Sequence, residues 1–198
     1  MAADEGLRAR KKRETARRIE SAALDLFERD GFDATTVDAI AAAADIAPRT
    51  FFHYFPTKED VVLADYADRL ERVLGQLQDR EADEPAWRAV GASFRAVAED
   101  YERERRLIVR RFRIMAETPS VAARSLQLQA GWEQDLAEVV TGRDVPAPTA
   151  RLLAAAAVAG MRAALEDWLG SGTRARLPDV VQAHFDHLGR GLDQPPSP

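Results

Sequence analysis

The sequence predicts an all-α protein of about nine helices, an N-terminal three-helix helix-turn-helix domain followed by a C-terminal helical domain. Three observations carry that expectation. Apolar residues recur at i, i+3, i+4 spacing through most of the chain, and no stretch alternates as a strand would. Gly31, Pro48, Pro85, Pro119, Gly142 to Pro148, Gly170 to Gly172 and Pro178 fall between the periodic stretches, where helices start and stop. Residues 35–58, TTVDAIAAAADIAPRTFFHYFPTK, read as a short helix, a tight turn and a second short helix.

Taken in order, residues 1–12 are expected to form a flexible basic arm. Ile19, Ala22, Ala23, Leu26 and Phe27 then give one amphipathic face over about 13–29, which Gly31 ends. Thr35 or Thr36 caps a helix bearing Val37, Ile40 and Ala41. The turn falls at Ala44-Asp45-Ile46-Ala47, and Pro48 suits the first position of the next helix, where its missing N–H leaves no bond unmade. On that helix Phe51 and Phe55 face a small core with Phe32 and Ile46, while Arg49, Thr50, His53 and Tyr54 lie around the other sides. Thr57 caps a long helix expected to run from 57 to 78 and to link the two domains mechanically. Beyond the charged linker 80–84, Trp87, Val90, Phe94, Val97 and Tyr101 repeat along one face; they are core, or they wall a cavity. Helices follow over 105–117, from Pro119 to about Val140, over the alanine-rich 150–169, and from Pro178 to about Leu188. The domain boundaries expected are therefore 13–60 for the helix-turn-helix domain, 61–192 for the remainder, and a tail over 193–198.

Composition narrows the function. The chain holds 198 residues, 46% of them apolar, with a net charge of −5 and no cysteine. Disulfides, thiolate metal sites and thiol redox sensing are excluded, and a cytoplasmic location is expected. No run is long and apolar enough to span a membrane, and residues 7–18 lack the apolar centre of a signal peptide. The negative total hides a basic stretch. Arg8, Arg10, Lys11, Lys12, Arg13, Arg17 and Arg18 stand against Glu14 alone, a charge suited to DNA phosphates. No enzyme is expected. Serines lack a nucleophile-elbow context, there is no Gly-rich phosphate loop, and no cofactor is implied. His184 and His187 lack further ligands at a telling spacing, so they read as a surface or interface pair rather than a metal site.

Gly31-Phe32, Thr35-Thr36-Val37, Ile40-Ala41 and the run Thr50 to Lys58, TFFHYFPTK, resemble the DNA-binding domain of TetR-family transcriptional regulators over about residues 14–63. The chain departs from the family pattern at three places. Asp45 stands where Gly is usual in the turn, Ala47 where a Ser or Thr caps the recognition helix, and Phe52 where a Tyr commonly touches phosphate. The resemblance implies a homodimer on a palindromic double-stranded operator. Thr36, Arg49, Thr50, His53, Tyr54 and Lys58 would then contact DNA, together with Arg13 and Arg17 of the basic stretch. Lys58 occupies the family's phosphate-contact position.

The later helices resemble, less specifically, the effector domain of a TetR subgroup that includes the mycofactocin-system regulator and takes acyl-CoA-like effectors. The carrying residues are the RTFFHYFP run at 49–56, Glu117-Thr118-Pro119, Trp132, Ala155 to Ala164 and Trp168. That resemblance makes Phe94, Tyr101, Phe112, Trp132 and Trp168 candidates to line an acyl path, with Arg110, Arg111 and Arg113 on the phosphates. Cross-helix salt bridges are the competing reading of these arginines. Dimerisation is assigned to the last two long helices through Ala156, Gly160, Ala164, His184, Phe185 and Leu188. The function expected is a ligand-released transcriptional regulator, most simply a repressor. A DNA-binding regulator without a small-molecule effector and a non-DNA acyl-CoA-binding module are the alternatives.

Overall fold

A computed structural model describes residues 2–172 and 174–191, with side chains from Arg10 onward; the expected tail at 193–198 lies outside the described residues. Ten helices are present among them: α1 (Ala2–Asp30), α2 (Val37–Ala43), α3 (Pro48–Tyr54), α4 (Lys58–Val62), α5 (Tyr66–Gln78), α6 (Ala86–Arg103), α7 (Arg105–Glu117), α8 (Pro119–Thr141), α9 (Ala147–Gly170) and α10 (Leu177–Arg190). The chain forms two compact units, Met1–Ala64 with Arg110–Ser125, and Asp65–Val109 with Leu126–Pro198. The division differs from the expected boundary at residue 60, because the second half of α7 and the start of α8 pack with the first unit.

Two further expectations need correcting. Helix α1 begins at Ala2, so the stretch expected to be a flexible basic arm through residue 12 is helical. Its Ala, Glu, Leu, Arg and Lys residues are strong helix formers, and only Asp4 and Gly6 are weak ones. The helix expected over 57–78 is two helices with a turn at 63–65, which raises the total from nine to ten. Val61, Val62 and Leu63 are all buried. Leu63 closes α4 as its C-cap, its N–H donating to the Glu59 carbonyl. No Gly or Pro marks this break in the sequence.

In the first unit, Ile19, Ala23, Leu24 and Phe27 of α1 share a core with Phe32, Ile40, Phe51, Phe55 and Val61. The Phe27 and Phe32 rings lie 4.7 Å apart, and Phe51 and Phe55 5.9 Å apart. Thr36 caps α2 by accepting from the Ala39 N–H at 3.1 Å. Asp45 takes the left-handed conformation of the turn at φ 52°, which short polar side chains tolerate better than most. Ala47 precedes α3 without a side-chain cap, and Pro48 is the first helical residue. Thr57 and Asp60 form a reciprocal capping box at the start of α4.

The second unit is organised by close approach of α10 to α6 and α9. Gly91 faces the Phe185 ring, where a Cβ would lie 3.0 Å from the nearest ring carbon. Gly160 faces Leu188 and Gly189 faces Trp87, and a Cβ at either would lie only 2.8 Å from the facing side chain, closer than packed atoms tolerate. Phe185 stacks on Trp87 at 5.2 Å and tilts against Phe94 at 5.5 Å, and the Trp87 indole N–H donates to the Phe185 carbonyl at 3.0 Å. Arg143, just past α8, donates to the carbonyls of Leu77, Arg80, Glu81 and Glu84 and so holds the linker that follows α5. Leu77 lies in the last turn of α5, where a cation also complements the negative end of the helix dipole.

Candidate nucleic-acid interface and effector residues

Helix α3 buries Phe51 and presents the rest of its surface. Arg49, Phe52 and His53 are exposed, and Thr50 and Tyr54 half-exposed. This is the arrangement a recognition helix needs, since base edges are read by side chains that project from a helix anchored on its other face. Thr36 is exposed while serving as a cap. Lys58 is more constrained than its sequence position implied. Its ammonium donates to the carbonyls of Phe32 at 2.7 Å and Thr35 at 3.0 Å, over the Phe32 ring at 4.3 Å. Two of its three donors are thereby directed inward. On α1, Arg10, Arg13, Arg17 and Arg18 are exposed along a shallow groove.

The proposed effector residues do not form one site within either unit. Phe94, Tyr101, Trp132 and Trp168 belong to the second unit, and Arg110, Arg111, Phe112 and Arg113 to the first. Phe94 is core, against Phe185. Trp168 is core too, with its indole N–H on the Ala175 carbonyl at 3.0 Å and the Arg105 guanidinium 5.4 Å from its ring. Trp132 is half-buried and tilts against Tyr66 at 5.5 Å. Phe112 is half-buried and Arg113 exposed. A groove of about 540 Å³ in the second unit lies between α8 and α9, lined by Ala130, Glu133, Gln134, Ala137, Thr141 and Arg151 rather than by these aromatics.

Tyr101 meets a residue that periodicity did not single out. Arg69 is 1% exposed, its guanidinium 3.5 Å from the Tyr101 ring centroid and paired with Asp65 and with Glu104 at 3.3 Å. The i, i+4 spacing of Asp65 and Arg69 was the available signal.

Arg110 and Arg111 of α7 are engaged. Arg110 bridges Asp25 at 2.6 Å and Glu28 at 2.8 Å, and the hydrogen bond to Glu28 raises its pKa above the ordinary arginine value. Arg111, 6% exposed, pairs with the largely buried Glu20. Arg124 of α8 reaches Asp60 of α4 at 2.9 Å. All these pairs lie within the first unit, and the salt-bridge reading of Arg110 and Arg111 describes them in this structure.

Of the dimerisation candidates, Gly160, Ala164 and Phe185 are buried within the unit itself, because α9 and α10 pack on each other through them. Ala156, His184 and Leu188 are partly exposed. His184 bonds Asp167 at 3.0 Å and the Val180 carbonyl at 2.9 Å. Among the described residues no group of three or more His, Cys, Asp or Glu could hold a metal ion, and no helix is long and apolar enough to cross a membrane.

Residues 19–64 match the family model of bacterial regulatory proteins, tetR family, and residues 84–193 match that of the MftR C-terminal domain. A Mycobacterium tuberculosis protein named as the mycofactocin biosynthesis transcriptional regulator MftR is 30% identical over 192 residues, covering 93% of this chain and 94% of that one. The HTH-type transcriptional regulator TcmR of Streptomyces glaucescens is 36% identical over 145 residues, 70% of this chain and 64% of that protein. Among solved structures, Thermus thermophilus FadR in complex with lauroyl-CoA is 26% identical at a TM-score of 0.55, with 92% of this chain and 98% of that one covered. A TetR-family regulator from Syntrophomonas wolfei shares the fold at a TM-score of 0.63 and 18% identity, over 91% of this chain and 97% of that one. A non-enzymatic regulator is what these likenesses have in common. The chain belongs to the TetR family of bacterial transcriptional regulators and carries a C-terminal domain of the MftR type.

Proposed function

We propose that this regulator is a dimeric repressor that binds a palindromic operator and is released by an acyl-CoA-like effector. The observation that carries the DNA half is α3, anchored through Phe51 with Arg49, Phe52 and His53 projecting, in the same unit as the exposed arginines of α1. Arg49, Thr50, His53 and Tyr54 reach base edges, while Arg13, Arg17 and the free side of Lys58 meet phosphate. The dimer face proposed is the stripe of α9 formed by exposed Leu152 and Ala159 and partly exposed Ala156 and Ala163, with His184 of α10 at its margin. Twofold pairing sets the recognition helices about one DNA turn apart, roughly 34 Å. Ala159→Arg should convert a dimer into a monomer on light scattering; an unchanged mass would remove this face.

The effector half is supported by the family relationship and by the lauroyl-CoA bound in the Thermus thermophilus relative. An effector must favour one domain arrangement to change DNA affinity, and a coupling of about 1–3 kcal/mol corresponds to roughly 5- to 150-fold. The chain passes between the two units after Ala64, Val109 and Ser125, and α7 crosses the second of these junctions without a break. Titrating the protein–operator complex with acyl-CoAs of several lengths, alongside free CoA, tests the effector. Release by the long-chain thioesters alone is expected. A second reading, a regulator with no small-molecule effector, is favoured by the tight burial of Phe94 and Trp168 and the engagement of Arg110 and Arg111. Failure of every acyl-CoA to release DNA would select it.

A further inference from the structure

We propose that Phe52 reads the 5-methyl group of one thymine in each operator half-site, an inference that rests on the DNA-binding reading above. Phe52 is 57% exposed on α3, among the few large apolar side chains left open in the described residues. At about 100° per residue it lies roughly 60° around the helix from Arg49, at the border of the exposed arc that Arg49 and His53 occupy. Its ring is not loose. It meets Phe51 edge-on, centroids 5.4 Å apart with planes at 83°, and Phe51 is fully buried. The protein thus holds an oriented apolar ring on the surface that faces DNA.

The chemistry of that ring limits its partner. A phenyl group neither donates nor accepts an ordinary hydrogen bond, so it cannot anchor a phosphate as a tyrosine hydroxyl would. In the major groove the apolar feature of the base edges is the thymine 5-methyl, and phenylalanine is among the side chains suited to it. Arg49, one helical turn away on the same arc, is a residue type that reads guanine in that groove. The pair therefore divides the readout into one apolar and one hydrogen-bonding contact. Removing a single buried methyl group should weaken binding about fourfold per half-site.

The test replaces each thymine of an operator, recovered by in vitro selection from random duplexes, with deoxyuridine, which lacks only that methyl. Affinities are measured at low salt, where weakened variants stay in range. One position per half-site should show the fourfold penalty with the wild-type chain. Phe52→Ala should bind the thymine and uracil duplexes alike, while Phe52→Tyr, which keeps the ring, should retain the penalty. Uracil penalties that are absent, or equal in wild type and Phe52→Ala, would overturn the inference and leave the DNA-binding reading intact. A selection that enriches no sequence would overturn both.

Discussion

Two sets of arginines invite comparison, those of α1 and those of α7. Both stand in basic runs of the sequence, and both suggested a partner with phosphates. On α1, Arg10, Arg13, Arg17 and Arg18 project into solvent. On α7, Arg110 and Arg111 meet Asp25, Glu28 and Glu20, which all lie further along that same α1, C-terminal to its exposed arginines. One helix therefore offers cations in its earlier turns and, with the acids of its later turns, takes up those of α7. A run of like charge shows what a segment can bind; its neighbours decide whether the charge remains available.

That contrast is open to attack, most forcefully at Arg111. Arg111→Ala should lower stability by about 3–5 kcal/mol, because it leaves Glu20 charged and largely buried. Thermal melting of the variant, and of a double variant with Glu20→Gln, would check it. The double change should regain part of the loss, and a single variant that melts like wild type would mean the pair is open to water. On the other set, Arg13→Ala with Arg17→Ala should leave melting unchanged and weaken all duplexes alike. The slope of log affinity against log salt should flatten by about 0.9 for each phosphate that is no longer neutralised. A loss confined to the operator would instead make these residues base readers.

Smaller effects sharpen the description of the helix-turn-helix. Thr36→Ala should cost about 1 kcal/mol in a urea melt, since the Ala39 N–H loses its acceptor. Ala47→Ser should add a similar amount by capping α3, where no side chain now does so. Smallest of all, Arg113→Ala should change stability by no more than about 0.5 kcal/mol, because the side chain is exposed. A large effect there would reveal an engagement of the kind seen at Arg110.

The DNA-facing half of the molecule was the more legible. Capping residues, the helix-first proline and the pair Phe51 and Phe55 act within a few residues of one another, so spacing alone locates them. The break at 63–65 was not legible, because no Gly or Pro marks it in the sequence. Arg69 escaped attention because its partners Tyr101 and Glu104 are more than thirty positions away.

By itself, the sequence determined the helical class, the caps and turn of the helix-turn-helix, and the side chains that α3 presents. These depend on backbone preferences and on periods of about 3.6 residues, which are local quantities. Only the tertiary structure decided that Phe94, Trp168, Gly160 and Phe185 are packing residues of the second unit and that Arg110 and Arg111 meet α1. An aromatic that lines a cavity and one that fills it have the same periodicity. Likewise, a paired and an unpaired arginine have the same local sequence. The difference lies in which distant side chains arrive beside them, and that is settled by how the helices pack.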